Sequence, residues 1–209
     1  MSITEQLKKI ESMYSNNMRD MGTTSKAVGW NSEDCQSLRF TKLSSIIDDN
    51  GPYSVNDYGC GYGAHLRFLT ETLGHDVTAY NGYDISKDML SSARDNLSAF
   101  TGSLNLQQAE NITTEADYSF VSGTFNVRFE APREEWEDFM RAKLDEINRH
   151  SRKGFSFNVL TSYADWEETH LYYGDPSYWF DYCKKNFSRA VSLLHDYPLW
   201  EWTMIVRKS

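Results

Sequence analysis

Apolar residues in the first fifty positions recur at helical spacing and predict a helical cap. Between residues 3 and 21 they stand three or four positions apart, as on one face of an α-helix. A second such stretch covers residues 32–48, where Ser32 can cap the first turn. We therefore expect two helices within residues 1–50, ahead of a core formed by residues 51–209.

Beyond residue 50 the pattern alternates between short apolar runs and amphipathic stretches. The runs predict strands over residues 53–58, 77–83, 104–107, 117–122 and 154–160. The stretches between them predict helices over residues 64–73, 87–100 and 132–150. Strands that alternate with helices are typical of a parallel sheet that carries helices on both faces.

The last part of the chain departs from this alternation. After a predicted helix over residues 178–186, strands are predicted over residues 190–195 and 200–207, with only a few residues between them. A parallel crossover needs a dozen or more residues, so these two strands must be antiparallel. We expect a single α/β domain over residues 1–209, with an open sheet of seven strands, an antiparallel last strand and helices on both faces.

Composition narrows the classes of partner. The net charge is −9 and no cluster of Lys and Arg stands out, so a nucleic-acid partner is disfavoured. The widely spaced Cys35, Cys60 and Cys183 form neither a zinc pattern nor a disulfide framework, which favours a cytoplasmic protein with no bound metal. No apolar run is long enough to span a membrane, and no membrane contact is expected. The oligomeric state stays open.

A glycine-rich turn carries the candidate chemistry. Asp57 is followed by Gly59, Gly61 and Gly63, between the first predicted strand of the core and its helix. Glycines let the backbone turn sharply and approach a ligand, at the end of the strand where α/β sheets bind ligands. Asp84 ends the second strand, where a carboxylate can accept both hydroxyls of a ribose.

The glycines alone also satisfy the G-x-G-x-x-A pattern of dinucleotide sites, over residues 59–64. Three features favour S-adenosylmethionine over NAD. Asp57 stands two residues before the first glycine, the sheet ends in an antiparallel hairpin, and 209 residues leave little room for a separate catalytic domain. An NAD-dependent oxidoreductase and a non-catalytic S-adenosylmethionine-binding subunit remain the alternatives.

On these motifs and the order of its elements, the chain from Trp30 to Lys208 resembles class I S-adenosylmethionine-dependent methyltransferases of the small-molecule type. The resemblance implies a Rossmann-like fold, S-adenosylmethionine as cofactor and S-adenosylhomocysteine as product. It assigns Asp57, Gly59 and Gly61 to the amino-acid part of the cofactor, Asp84 to the ribose, Ile85 and Met89 to the adenine, and Ser122 to the edge of the sulfonium.

Four further residues are assigned to the cofactor by the same resemblance. Glu110 and Asn111 loosely match an acidic or amide residue beside the adenine amino group. Trp30 and Arg39 resemble a Trp and an Arg that cover the cofactor, and Arg39 could hold its carboxylate as a bidentate pair. The alternative is that Trp30 packs in the core and Arg39 is a solvated helix residue.

The acceptor is less well defined. The fourth strand of the core lacks the Asn/Asp-Pro-Pro-Tyr/Phe pattern of DNA and protein-amide N-methyltransferases. This leaves methylation of an oxygen, a nitrogen or a carbon of a small molecule open, and we expect an oxygen or a nitrogen. In this fold two late segments overhang the acceptor site. We expect His170 or His195 as general base, and Tyr172, Tyr173 and Tyr197 as acceptor-binding residues. The alternative is that all five are structural.

Overall fold

The predicted alternation forms one mixed sheet between two layers of helices. The computed structural model describes residues 3–29, 32–48 and 51–208. Its strands are β1 (Tyr53–Tyr58), β2 (Val77–Asp84), β3 (Ser103–Gln108), β4 (Ala116–Val121), β5 (Ser151–Thr161), β6 (Tyr173–Gly174), β7 (Ala190–Leu194) and β8 (Glu201–Arg207). Its α-helices are α1 (Ile3–Met21), α2 (Glu33–Ser44), α3 (Ala64–Arg67), α4 (Lys87–Asn96), α5 (Arg133–His150) and α6 (Pro176–Asn186).

The strands lie in the order β3-β2-β1-β4-β5-β8-β7. Strands β1 to β5 pair in parallel, whereas β8 is antiparallel to both β5 and β7. The predicted antiparallel last strand is therefore confirmed. The two-residue strand β6, which was not predicted, adds an eighth strand by pairing Tyr173 with Leu160 of β5.

Alternate strand residues face two separate cores. Phe155 and Phe157 of β5 pack with Trp136 of α5 in one core. Ser156, which lies between them, faces the other layer, where its hydroxyl donates to the carbonyl of Leu43 in α2 at 2.9 Å. The two-residue period of the strand thus fixes which helices cover each face of the sheet.

The N-terminal helices form the predicted cap. The backbone N–H of Cys35 donates to Ser32 Oγ at 3.2 Å, as predicted, although α2 ends at Ser44 and not at residue 48. Helix α1 is held by ion pairs that Lys9 makes with Glu130 at 2.6 Å and Arg19 makes with Asp88 at 2.8 Å. Both pairs join α1 to segments that follow the carboxyl ends of strands, so the helix lies across that edge of the sheet.

Helix α3 is short and changes character. After Arg67 it continues as a π-helical turn over Phe68–Thr72, so the helix predicted for residues 64–73 is present but irregular. Within residues 3–29, 32–48 and 51–208, no helix has the length and apolar character of a membrane span.

Candidate functional site

The glycine turn leaves β1 through a conformation that only glycine adopts readily. Gly59, Gly61 and Gly63 have φ angles of 76°, 54° and 80°, in the left-handed region. A Cβ on Gly59 would lie 2.2 Å from the Thr124 hydroxyl oxygen. The backbone N–H of Gly59 donates to the carbonyl of Tyr83 at 2.8 Å, which ties the turn to the end of β2. The turn is therefore closed by close contacts on both sides.

Asp84 holds this turn from the end of β2. One carboxylate oxygen accepts from the backbone N–H of Gly61 at 2.9 Å, and the other accepts from the backbone N–H of Ser86 at 2.8 Å. Burial raises the pKa of Asp84 to about 6, although both backbone hydrogen bonds oppose the rise. Each carboxylate oxygen keeps a second lone pair, so Asp84 can still accept the two hydroxyls of a ribose.

Asp57 lies at the base of the same turn, only 2% exposed. The Tyr80 hydroxyl donates to its Oδ2 atom at 2.6 Å. Burial raises the pKa of Asp57 to about 7, and the Tyr80 hydrogen bond partly offsets this rise. A cation bound beside Asp57 would favour the ionised carboxylate.

A pocket of about 960 Å³ of empty space opens above the turn. Its wall includes seven of the residues predicted to bind the cofactor: Asp57, Gly59, Gly61, Asp84, Ile85, Met89 and Ser122. Helix α1 contributes Leu7, Ile10 and Tyr14, and α2 contributes Gln36 and Phe40. The helical cap thus contributes to the wall of a pocket whose empty space is partly open to solvent.

The segment that leaves β4 forms the far side of the pocket. The backbone N–H of Gly123 donates to Asn158 Oδ1 on β5 at 2.7 Å, and the Thr124 hydroxyl donates to the carbonyl of Tyr58 at 2.9 Å. Ser122 Oγ is buried and has no hydrogen-bond partner among the described residues. The neighbouring strands therefore fix the segment, while one hydroxyl stays available to a ligand.

Glu110 and Asn111 do not line the pocket, where Ala109 stands instead. Both are exposed, and the ammonium group of Lys143 on α5 binds the carbonyl of Glu110 at 2.6 Å and the side-chain oxygen of Asn111. The lysine draws the chain after β3 towards α5. The predicted contact of these residues with an adenine is therefore not supported.

Arg39 is also absent from the wall. Its Nε–H donates to Glu201 Oε2 at 2.6 Å, and both side chains are buried. Burial raises the pKa of Glu201, and the nearby guanidinium counteracts the rise, because a buried carboxylate needs a counter-charge. The predicted bidentate hold on the cofactor carboxylate is not supported, and the alternative of a solvated Arg39 is wrong. Trp30 lies outside the described residues.

Neither histidine predicted as a base lies in the pocket wall. His170 is exposed beside the Phe129 ring, because Leu171 pairs with Val127 and holds this segment against the chain that follows β4. His195 is exposed beside the Tyr163 ring, at a centroid distance of 5.9 Å. This geometry does not support a catalytic role for either histidine.

The three predicted acceptor tyrosines have structural partners and also lie outside the wall. Tyr172 is fully buried, and its hydroxyl donates to Glu137 at 2.8 Å. Tyr173 pairs with β5 as part of β6, and the Tyr197 hydroxyl lies 2.8 Å from that of Thr203. The alternative of structural residues fits all three.

Sequence reasoning missed the histidine that does line the pocket. His65, in the first turn of α3, stacks on Phe40 with ring centroids 4.5 Å apart and contacts Phe120 edge-on. Burial lowers its pKa to about 3, so the ring is neutral. Its position two residues after Gly63 was the one signal in the sequence that could have identified it.

The charged side chains in the wall indicate which ligands this pocket can bind. Asp57 and Asp84 are its two carboxylates, and no Lys or Arg stands among the described wall residues. Such a wall suits a ligand that carries positive charge and hydroxyl groups. It suits a pyrophosphate poorly, because two nearby carboxylates repel an anion.

Comparisons with known proteins agree with this site. A family model described as a methyltransferase domain matches residues 55–154. The protein Rv1506c of Mycobacterium tuberculosis, which carries the name of a methyltransferase, is 46% identical over 168 residues, which are 78% of this chain and 98% of that protein.

Solved structures share the fold at low sequence identity. Magnesium protoporphyrin IX methyltransferase from Synechocystis PCC 6803, with SAM bound, has a TM-score of 0.68 and 12% identity, over 98% of this chain and 97% of that one. Phosphoethanolamine N-methyltransferase 1 of Haemonchus contortus has a TM-score of 0.67 and 11% identity, over 100% of this chain and 50% of that one. On the family model and the relative, the chain belongs to the methyltransferase family, and it has the Rossmann-like fold of class I S-adenosylmethionine-dependent members.

Proposed function

We propose that this protein transfers the methyl group of S-adenosylmethionine to an oxygen or nitrogen of a small-molecule acceptor and releases S-adenosylhomocysteine. The charge of the pocket carries the proposal. S-adenosylmethionine has a sulfonium and an ammonium, and the wall offers Asp57 and Asp84 with no described Lys or Arg. Complementary charge of this kind favours the methyl donor over a dinucleotide.

The described residues fit the parts of this cofactor. Asp84 is placed to accept the ribose hydroxyls, and Asp57 with the backbone of Gly59 and Gly61 fits the amino-acid end. Ile85 and Met89 offer apolar contact for the adenine, and the unpartnered Ser122 hydroxyl lies where the sulfonium edge is expected.

The rest of the wall supports a small acceptor with an apolar part. Trp136 and Phe139 of α5, with Leu7 and Ile10 of α1, add apolar surface to the same pocket wall. Two structural neighbours carry the names of small-molecule methyltransferases, one for magnesium protoporphyrin IX and one for phosphoethanolamine. The net charge of −9 further disfavours a nucleic-acid acceptor, and the free thiols of the described cysteines suit the cytoplasm.

Methyl transfer from a sulfonium needs little help from acid–base groups. The sulfonium is an activated leaving group, so the protein must mainly align the nucleophile with the methyl carbon and exclude water. Helices α1 and α2 contribute to the pocket wall. The hydrogen bond from Gly123 to Asn158 fixes the segment that follows β4. We propose that this positioning provides most of the rate enhancement.

Calorimetry tests the proposal directly. We expect S-adenosylhomocysteine to bind the purified protein, and NADH to release no heat of binding. Incubation with S-adenosylmethionine and a panel of small hydroxyl and amine acceptors should then produce S-adenosylhomocysteine. Tight NADH binding without S-adenosylhomocysteine binding would overturn the cofactor assignment, and binding without turnover on any acceptor would favour a non-catalytic subunit.

A further inference from the structure

The amino-acid end of the proposed cofactor carries a carboxylate as well as an ammonium. Asp57 can pair with the ammonium, but the described wall holds no Lys or Arg for the carboxylate. The Nε atom of Arg39 is bonded to Glu201, and this residue lies outside the wall. Among the described wall residues, the donors that could face the carboxylate are therefore neutral.

His65 has one ring nitrogen with no partner. The imidazole is 2% exposed and belongs to the pocket wall. Its Nε2 atom lies 3.1 Å from Ser44 Oγ, whereas its Nδ1 atom is buried with no hydrogen-bond partner among the described residues. Buried polar atoms are normally satisfied, so this nitrogen indicates a missing partner.

The surroundings of the ring fix its orientation and its protonation. Phe40 stacks on one face with an interplanar angle of 7°, and Phe120 contacts the ring at 4.6 Å and 70°. Because the ring is neutral, it carries one proton. The Ser44 hydroxyl can rotate to donate to Nε2, which leaves the proton on Nδ1 and makes this atom a donor.

A second neutral donor lies in the same wall. The side-chain oxygen of Gln36 accepts a hydrogen bond from the Tyr62 hydroxyl at 3.2 Å. This bond orients the amide and leaves its NH₂ group as a donor in the pocket wall. Gln36 and Phe40 stand four residues apart on α2, so this amide and the stacked His65 ring share one side of the pocket.

We propose that His65 is a positioning residue for the cofactor, whose Nδ1–H donates to the carboxylate at the amino-acid end while Ser44 fixes the tautomer. This inference rests on the proposed function. It assigns specificity for the amino-acid half of the cofactor to a neutral ring on α3 rather than to an arginine of the cap.

Two ligands isolate the contact. S-adenosylhomocysteine carries the amino-acid half, and 5′-methylthioadenosine lacks it. His65→Phe keeps an aromatic ring between Phe40 and Phe120 but removes both nitrogens, whereas His65→Asn can place an amide nitrogen where Nδ1 stands. We expect His65→Phe to weaken S-adenosylhomocysteine binding by about 10- to 100-fold and to change 5′-methylthioadenosine binding less than about twofold, since a hydrogen bond to a charged group is lost.

Three variants serve as checks. His65→Asn should recover most of the affinity for S-adenosylhomocysteine. Ser44→Ala should weaken it by about two- to fivefold, because the tautomer is no longer fixed. His195→Phe, which changes an exposed histidine outside the wall, should leave both affinities unchanged. Thermal melts establish whether each variant is folded, and Ser44→Ala provides the test if His65→Phe is not folded.

The possible failures are distinct. Wild-type protein that does not bind S-adenosylhomocysteine overturns the proposed function and this inference together. Wild-type binding that persists in His65→Phe, or that falls equally for both ligands, overturns only the role of His65. If His65→Phe does not fold, Ser44→Ala provides the test, and an unchanged affinity for S-adenosylhomocysteine in that variant overturns the role of His65.

Discussion

Removing the charge of Arg39 should strongly destabilise the protein, although this residue is absent from the pocket wall. The Arg39 side chain is 8% exposed and that of Glu201 is 0% exposed, with their closest atoms 2.6 Å apart. Arg39→Met leaves Glu201 as an uncompensated buried carboxylate, which costs about 3–5 kcal/mol. For a chain of 209 residues this corresponds to a fall in Tm of about 6–20 °C.

Urea denaturation of four proteins measures this effect. The wild type, Arg39→Met, Glu201→Gln and the double variant form a thermodynamic cycle. The double variant should recover much of the loss, because it contains no unpaired charge. Arg67→Met is the matched control, since it breaks an ion pair to Glu71 whose side chains are 48% and 57% exposed. That exposed pair should contribute less than about 1 kcal/mol.

The pH dependence of the free energy of unfolding tests the same ion pair independently. Burial raises the pKa of Glu201, so any stability from its neutral form is present at low pH and is lost as the pH rises through the folded-state pKa. In Arg39→Met the deficit should therefore shrink as the pH falls from 8 to 5. A loss below about 1 kcal/mol in Arg39→Met, or no recovery in the double variant, would refute the assigned ion pair.

Three further outcomes are expected. Asp84→Asn should weaken S-adenosylhomocysteine binding by about 10- to 100-fold in calorimetry, because a charged acceptor for two ribose hydroxyls becomes half donor; unchanged affinity would exclude the ribose contact. Burial raises the pKa of Asp57 to about 7 and that of Asp84 to about 6, so both carboxyl groups gain protons at low pH in the protein without cofactor. Because the cofactor binds the ionised carboxylates, its affinity should rise from pH 5.5 to 8. An affinity that falls over this range contradicts the reasoning. His170→Ala and His195→Ala should retain turnover within about twofold, as neither lines the pocket; a loss of two orders of magnitude in kcat, typical of a missing general base, would restore that role.

The strands and the glycine turn could be predicted because their signals are local. An apolar run bounded by Asp57 and glycines indicates both the end of a strand and the turn that follows it. The antiparallel last strand followed from the few residues between residues 195 and 200, since connection length alone excludes a parallel crossover. The two-residue β6 carries no periodic signal and exists only because Tyr173 meets Leu160 across the sheet.

The pocket wall contains the candidate residues whose position the backbone defines, and it lacks several whose position depends on side-chain direction. Asp84 follows from its place at the end of a strand. His170 lies in the connection between β5 and α6, and the bridge between Val127 and Leu171 holds this part of the chain outside the pocket wall. The partner of Arg39 lies 162 residues away, so no local pattern could have shown that Glu201 engages its guanidinium.

That separation has a consequence for how the chain is made. Helix α2 packs against β5 and β8, and its Arg39 pairs with Glu201 of β8. At about 5–20 residues per second, a ribosome needs roughly 8–30 s to advance from Arg39 to Glu201. During this interval Glu201 is not available to Arg39, so we expect α2 to complete its packing only after β8 emerges.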